Sequence, residues 1–197
     1  YRALDYGLDM LACYWFAVDE TGRVWCYREL KQKDLVVSDA ARMILENTGI
    51  NEHIDITFAP PDLWSRTKDS GKSMAELFMT NGVPLVKASN NRVQGWLQVK
   101  EFLKDSPDGK PGLMFFRNCT GIIEDIQAIQ ADEKNPNDCA KEPHDITHSN
   151  DAIRYFCVSR SLPGEMEKVR EEPDDEPEED YENTMTGGAA TAGYIGY

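Results

Sequence analysis

Four side chains of the types that hold divalent cations stand at the edges of apolar segments. Asp5 lies inside "YRALDYG", Asp62 follows "TFAPP", and His148 and Asp151 are spaced three apart in "HDITHSNDAIRYF". A carboxylate inside an apolar strand is costly to bury without a partner. Gly7, two residues beyond Asp5, would let another group approach closely. Asp62 falls just past a strand, where the ligand sites of parallel sheets gather. Taken singly, each acid has a plainer reading. Asp5 could bond a neighbouring amide, and Asp62 could be a turn residue after Pro61. Asp151, in the first turn of a helix, could simply answer the helix dipole, worth ~0.3–1 kcal/mol. Together, three carboxylates from separate segments suit two divalent cations ~3.5–4 Å apart, the arrangement that drives phosphodiester hydrolysis. Oxygen-rich ligation favours Mg²⁺ or Mn²⁺ over zinc.

The elements that must position these residues follow from pattern. "YRALDYG" reads as a first strand, and "LACYWFAV" and "RVWCYREL" as a hairpin over about residues 11–30 with Gly22 in its turn. "DLVVSDAARMILENTG" has helical spacing and stops at Gly49. Then come a short strand in "HIDITFAPPD", a helix in "KSMAELFMTNG" and a strand in "VPLVKA". Asn90 or Asn91 caps "RVQGWLQVKEFL", where Val93, Trp96, Leu97 and Leu103 are expected on one buried face. "GLMFFRN" is a strand, "GIIEDIQAIQ" a helix, and "SNDAIRYFCVSR" a closing helix that buries Ile153, Phe156 and Cys157. Three strands in hairpins followed by alternating helices and strands predict a mixed α/β sheet.

Composition agrees with one such body and a tail. The chain has 197 residues, 41% of them hydrophobic, and no apolar run near the ~20 residues needed to span a bilayer. The five cysteines are odd in number and mostly in apolar surroundings, which suits reduced, buried thiols. The net charge of −14 is uneven: residues 165–182 carry eleven acids and two bases, a local −9. Residues 65–117 carry nine Lys and Arg against five acids. A generally basic binding protein is excluded, but a nucleic-acid partner is not. Residues 163–197, acidic and then glycine-rich, lack the large apolar residues of a core and are expected to be disordered or ordered by a partner. "DSGKS" at 69–73 is not a phosphate-binding loop, because Arg66 stands where that pattern needs its first glycine.

The segments "ALDYG", "APPDLWSRTKDSGKS", "NNRVQGW" and "HSNDAIRY" together resemble the nuclease domain of tailed-phage large terminase subunits. The resemblance spans roughly residues 1–160 and is most specific in the His-x-x-Asp-Ala-x-Arg-Tyr run from His148 to Tyr155. It implies a ribonuclease H-like fold: three antiparallel hairpin strands, then parallel strands, flanked by helices. It also implies a DNA endonuclease that cuts concatemeric viral DNA with two divalent cations, Mg²⁺ or Mn²⁺. Residues 1–162 would be the nuclease domain, cut from a longer polypeptide whose packaging ATPase domain lies N-terminal to it. Portal protein and small terminase subunit would be partners, in the host bacterial cytoplasm and away from any membrane.

By position, Asp5, Asp62 and Asp151 match the family's metal-binding acids, and His148 its histidine near the metals. Many relatives carry an acid directly before that histidine, where this chain has Thr147, so Asp145 or His148 is the candidate fourth ligand. His144 and Asp145 would then support the site from behind. The rival reading of His144 and His148 is a zinc pair at i,i+4 spacing, for which no nearby cysteine completes a tetrahedral set. Arg66, Lys68, Lys72, Lys87 and Arg92 would grip DNA phosphates beside the metals. Other ribonuclease H-like nucleases, such as a junction resolvase or ribonuclease H, could use the same acids. A docking module for packaging partners is the non-catalytic alternative.

Overall fold

The computed structural model of the protein describes residues 1–7, 9–66 and 71–160. The apolar, β-branched and aromatic start of the chain folds as an antiparallel meander of β1 (Arg2–Tyr6), β2 (Met10–Val18) and β3 (Val24–Lys33). Gly22 closes the second turn at φ 84°, a conformation costly for residues with a Cβ. β4 (Thr57–Ala59) lies parallel beside β1, and β5 (Val86–Lys87) parallel beside β4. β6 (Leu113–Phe115) lies parallel beside β3, giving the order β5-β4-β1-β2-β3-β6.

Alternation along the strands sends side chains to two cores. Leu4, Tyr6, Leu11, Cys13 and Trp15 pack under α1 (Val37–Glu46) and α2 (Met74–Thr80). Ser73 and Glu76 close a reciprocal capping box at the start of α2. Ala3, Ala12, Tyr14, Phe16 and Cys26 face the other way, beneath α3 (Arg92–Leu103), α4 (Thr120–Ala128) and α5 (His144–Ser159). Asp5 has the parity of Ala3 and is paired with Ala12, so it points toward α5. The two carboxylate oxygens of Glu29 on β3 accept the backbone N–H groups of Gly121 and Ile122, which fixes the start of α4 over the sheet.

Two expectations are corrected. α3 buries Gly95, Trp96, Val99 and Phe102, whereas Val93, Leu97 and Leu103 are exposed. The helix is rotated so that Gly95 meets α5, and what occupies the space above that glycine is an arginine stem rather than an apolar side chain. The closing helix begins at His144 rather than near Ser149, so Asp151 lies about two turns inside it and not in its first turn. Dipole stabilisation therefore does not account for Asp151. All five cysteines are free thiols, and only Cys139 is less than fully buried. No helix among the described residues is long and apolar enough to cross a membrane.

Candidate metal centre

The carboxyl ends of two neighbouring parallel strands and the middle of α5 meet at one place. Asp5, next to last in β1, points toward α5, and its Oδ2 lies 2.6 Å from His148 Nδ1. Both side chains are largely buried, 14% and 7% exposed. Gly7 makes this approach possible: a Cβ there would stand 3.3 Å from His148 Cε1 and 2.7 Å from Asp9 Oδ1. Asp9, in the turn after β1, reaches His148 Nε2 at 3.3 Å and His144 Nδ1 at 2.9 Å. Burial pushes the Asp5 pKa up; the His148 hydrogen bond opposes this, and the negative charge of Asp151, then of Asp62, adds to it. Burial works against the His148 cation, but the Asp5 and Asp9 carboxylates outweigh it and raise the His148 pKa. The pair therefore holds a proton more firmly than either group would in water.

Asp62 is the exposed residue of the 3₁₀ turn Pro61–Trp64 that follows β4 after Pro60. Asp151 lies on α5 three residues beyond His148, its side chain 15% exposed. Burial, then the charges of Asp5, Asp151 and Asp62, drive the Tyr155 hydroxyl pKa upward, with only Arg154 opposing. The three acids thus share one neighbourhood. Arg92, at the start of α3, places Nη1 3.2 Å from both Asp151 oxygens and Nε 3.0 Å from both Asp138 oxygens. Arg154 Nε donates to Asp151 Oδ1 at 2.8 Å. The Arg154 side chain is fully buried, its guanidinium lies 4.4 Å from the Tyr155 ring centre, and Nη1 and Nη2 have no hydrogen-bond partner.

The remaining expected residues fall in different places. Arg66 is exposed, 3.8 Å from Glu76. Lys87 is exposed on β5 with Nζ 5.3 Å from the Trp64 ring centre, beside the segment that carries Asp62. Lys72 is exposed before α2, and Lys68 lies outside the described residues. Arg92 is committed to two carboxylates and the Cys139 carbonyl rather than to open surface. Asp145 turns away to Lys33 at 3.0 Å, so the acid beside the histidines is Asp9. Sequence reasoning passed over Asp9, although it follows Asp5 by four residues across a glycine. It also passed over Arg154, whose presence in the "NDAIRY" run was the available signal.

The fold is ribonuclease H-like, with the meander β1–β3 flanked by parallel strands and α5 laid over Asp5. That fold is shared with the nuclease domains of two phage large terminases. The chain is similar to the P22 large terminase nuclease domain, with 17% identity, a TM-score of 0.61, and coverage of 82% of this chain and 80% of that one. It is also similar to the nuclease domain of g2p, the large terminase of bacteriophage SPP1, with bound Mn: 16% identity, TM-score 0.54, 78% of this chain and 82% of that one. At these identities the likeness is one of fold. No protein-family model matches the sequence, and no curated protein matches it.

Proposed function

We propose that this chain is a divalent-metal-dependent endonuclease that cuts concatemeric viral DNA during phage genome packaging. The observation that carries the reading is the meeting of Asp5, Asp62 and Asp151, from two parallel strand ends and one helix, on the fold shared with terminase nuclease domains. The donor set fits the ions: burial, with the charges of Asp151 and Asp62 adding, raises the proton affinity of Asp5, and three such carboxylates are hard oxygen ligands suited to Mg²⁺ or Mn²⁺. Bound there, two such cations would supply an activated water and neutralise charge on the leaving oxygen of a phosphodiester.

The chain's own residues do the rest. His148 fixes the Asp5 carboxylate by its 2.6 Å hydrogen bond. Arg92 and the fully buried Arg154 hold Asp151 by hydrogen bonds to its carboxylate. Arg66, Lys72 and Lys87, on or near the segment after Asp62, would hold backbone phosphates without choosing sequence. Lys68 belongs to the same segment by sequence. Arg92 acts as a positioning residue for Asp151 rather than as a phosphate ligand. On this reading residues 1–162 form the nuclease domain and residues 163–197 a tail available to the portal or small terminase subunit. The work is done in the host cytoplasm, beside a packaging ATPase domain.

The test is cutting of supercoiled plasmid with Mn²⁺, Mg²⁺ or excess chelator, comparing wild type, Asp62→Asn and Asp151→Asn. Metal-dependent nicking and linearisation lost in both variants is the expected result. Cutting that persists in chelator, or that Asp62→Asn performs as well as wild type, refutes the assignment. So does a folded wild type that neither cuts nor binds Mn²⁺.

A further inference from the structure

We propose that Asp9, His144 and His148 form a second cation site, separate from the three-carboxylate centre, that takes a first-row transition-metal ion such as Zn²⁺ or Co²⁺. One ligand atom from each of the three residues lies within 4.8 Å of the others. His144 and His148 are one helical turn apart on α5, so their rings stand side by side, 4.6 Å between centres. Asp9 Oδ2 is 2.9 Å from His144 Nδ1 and 3.3 Å from His148 Nε2. With metal–ligand bonds of ~2.0–2.1 Å, ligand atoms of a tetrahedral ion are spaced about 3.3 Å apart. One of these pairs already has that spacing, and the other needs a small opening.

A second observation points the same way. His148 Nδ1 is engaged by Asp5 at 2.6 Å, which leaves Nε2 to face Asp9. A ligating histidine commonly has its other nitrogen held by a carboxylate in this manner, which fixes the ring and its tautomer. Gly7 keeps the space between Asp9 and His148 free of a side chain. Asp9 and His144 are both more than half exposed, so water can complete the coordination. Two imidazoles and one carboxylate favour zinc, cobalt or copper over magnesium. The proposal uses neither Asp62 nor Asp151; it shares with the nuclease reading only His148, whose Nδ1 holds Asp5 while Nε2 faces the second site. An ion there would tie the β1–β2 turn to the start of α5 and hold the histidine that orients Asp5.

The experiment is a Co²⁺ titration of the full chain, followed by visible absorption, with circular dichroism on every variant. Wild type should show one saturable equivalent with the intense d–d bands of four-coordinate, imidazole-ligated Co²⁺, displaced by Zn²⁺ and distinct from the weak absorption of Co²⁺ on the all-oxygen centre. His144→Ala and Asp9→Asn, at half-exposed positions, should weaken binding at least tenfold, and Asp62→Asn should leave it unchanged. In wild type, proton NMR should show two histidines with paramagnetically shifted imidazole signals. No saturable band, unaltered affinity in His144→Ala, loss that follows Asp62→Asn instead, or fewer than two shifted histidines would each overturn the proposal.

Discussion

Gly95→Ala tests the packing that holds Asp151. In an ordinary helix interior this change is stabilising by ~1 kcal/mol, because glycine is the poorer helix former. Here the new Cβ would stand 2.6 Å from Arg154 Cγ and 2.9 Å from its Cδ, well inside the 3.4 Å of ordinary contact. The arginine stem has no room to retreat, since the side chain is fully buried and its Nε is bound to Asp151 at 2.8 Å. Overpacking of this kind costs typically ~1–3 kcal/mol. Set against the propensity gain, the expected net is a loss of about 1 kcal/mol, a fall in Tm of roughly 2–4 °C for a chain of this size. The assay is urea unfolding of the four corners of a cycle: wild type, Gly95→Ala, Arg154→Ala and the double variant. Without the arginine stem, Gly95→Ala should recover its stabilising sign, giving a coupling of about 2 kcal/mol. A stabilising Gly95→Ala in the presence of Arg154, or a coupling near zero, would refute the reasoning.

Asp62→Asn and Asp151→Asn should differ in stability even where both abolish cutting. Asp62 is exposed, and its substitution should shift stability by no more than ~0.5 kcal/mol. Asp151→Asn leaves the buried Arg154 without its counter-charge, and its cost should move toward the ~3–5 kcal/mol of an unpaired buried ion; equal urea midpoints for the two variants would contradict this. Acid should destabilise the fold in a definite window. Asp19 is lowered to about 2 by Thr21 and then Trp25, and Glu52 is lowered by its hydrogen bond from Arg28. A carboxylate lowered on folding stabilises above its unfolded pKa, and that stability is lost as pH falls through the folded value. Tm should therefore decline from about pH 4.5 toward pH 2, less steeply in Asp19→Asn; superimposable Tm–pH curves for wild type and that variant would count against the Asp19 assignment. The raised Asp5 and His148 act in the opposite sense at higher pH, so the comparison is made below pH ~4.

The strands and most helices were legible because their signals are local. "LACYWFAV" and "RVWCYREL" pair around Gly22 as their composition indicates, and Asn91 caps α3. The buried face of α3 was not legible. Stripe reasoning assigns burial by apolar type, and here a glycine faces the fully buried Arg154 while Val93 and Leu97 stay in water. Asp9 was hidden for a different reason. A turn acid reads as solvated charge, and the histidines that give it a role lie 135 and 139 residues further along. Asp145 misled because it is close to His148 in sequence, yet Lys33 on β3 claims it. What sequence spacing cannot supply is which of two nearby acids the tertiary fold turns inward.

The three carboxylates of the proposed centre are held by three different means, and this bears on how each could meet a cation. Asp5 gives Oδ2 to His148, so the oxygen left to offer is Oδ1. Asp151 accepts Arg154 Nε and Arg92 Nη1 on Oδ1 but only Arg92 on Oδ2. An ionised carboxylate has about four acceptor sites, so Oδ2 keeps capacity for a further positive partner. Asp62 stands exposed at the rim and can adjust by rotation of its side chain. Two acids are thus oriented in advance and one can adapt. The buried guanidinium of Arg154, with two nitrogens unpartnered, is costly to the fold. That cost is intelligible if the arginine's role is to fix Asp151 in place, because a carboxylate free to turn would lose the orientation that a pair of metal ions requires.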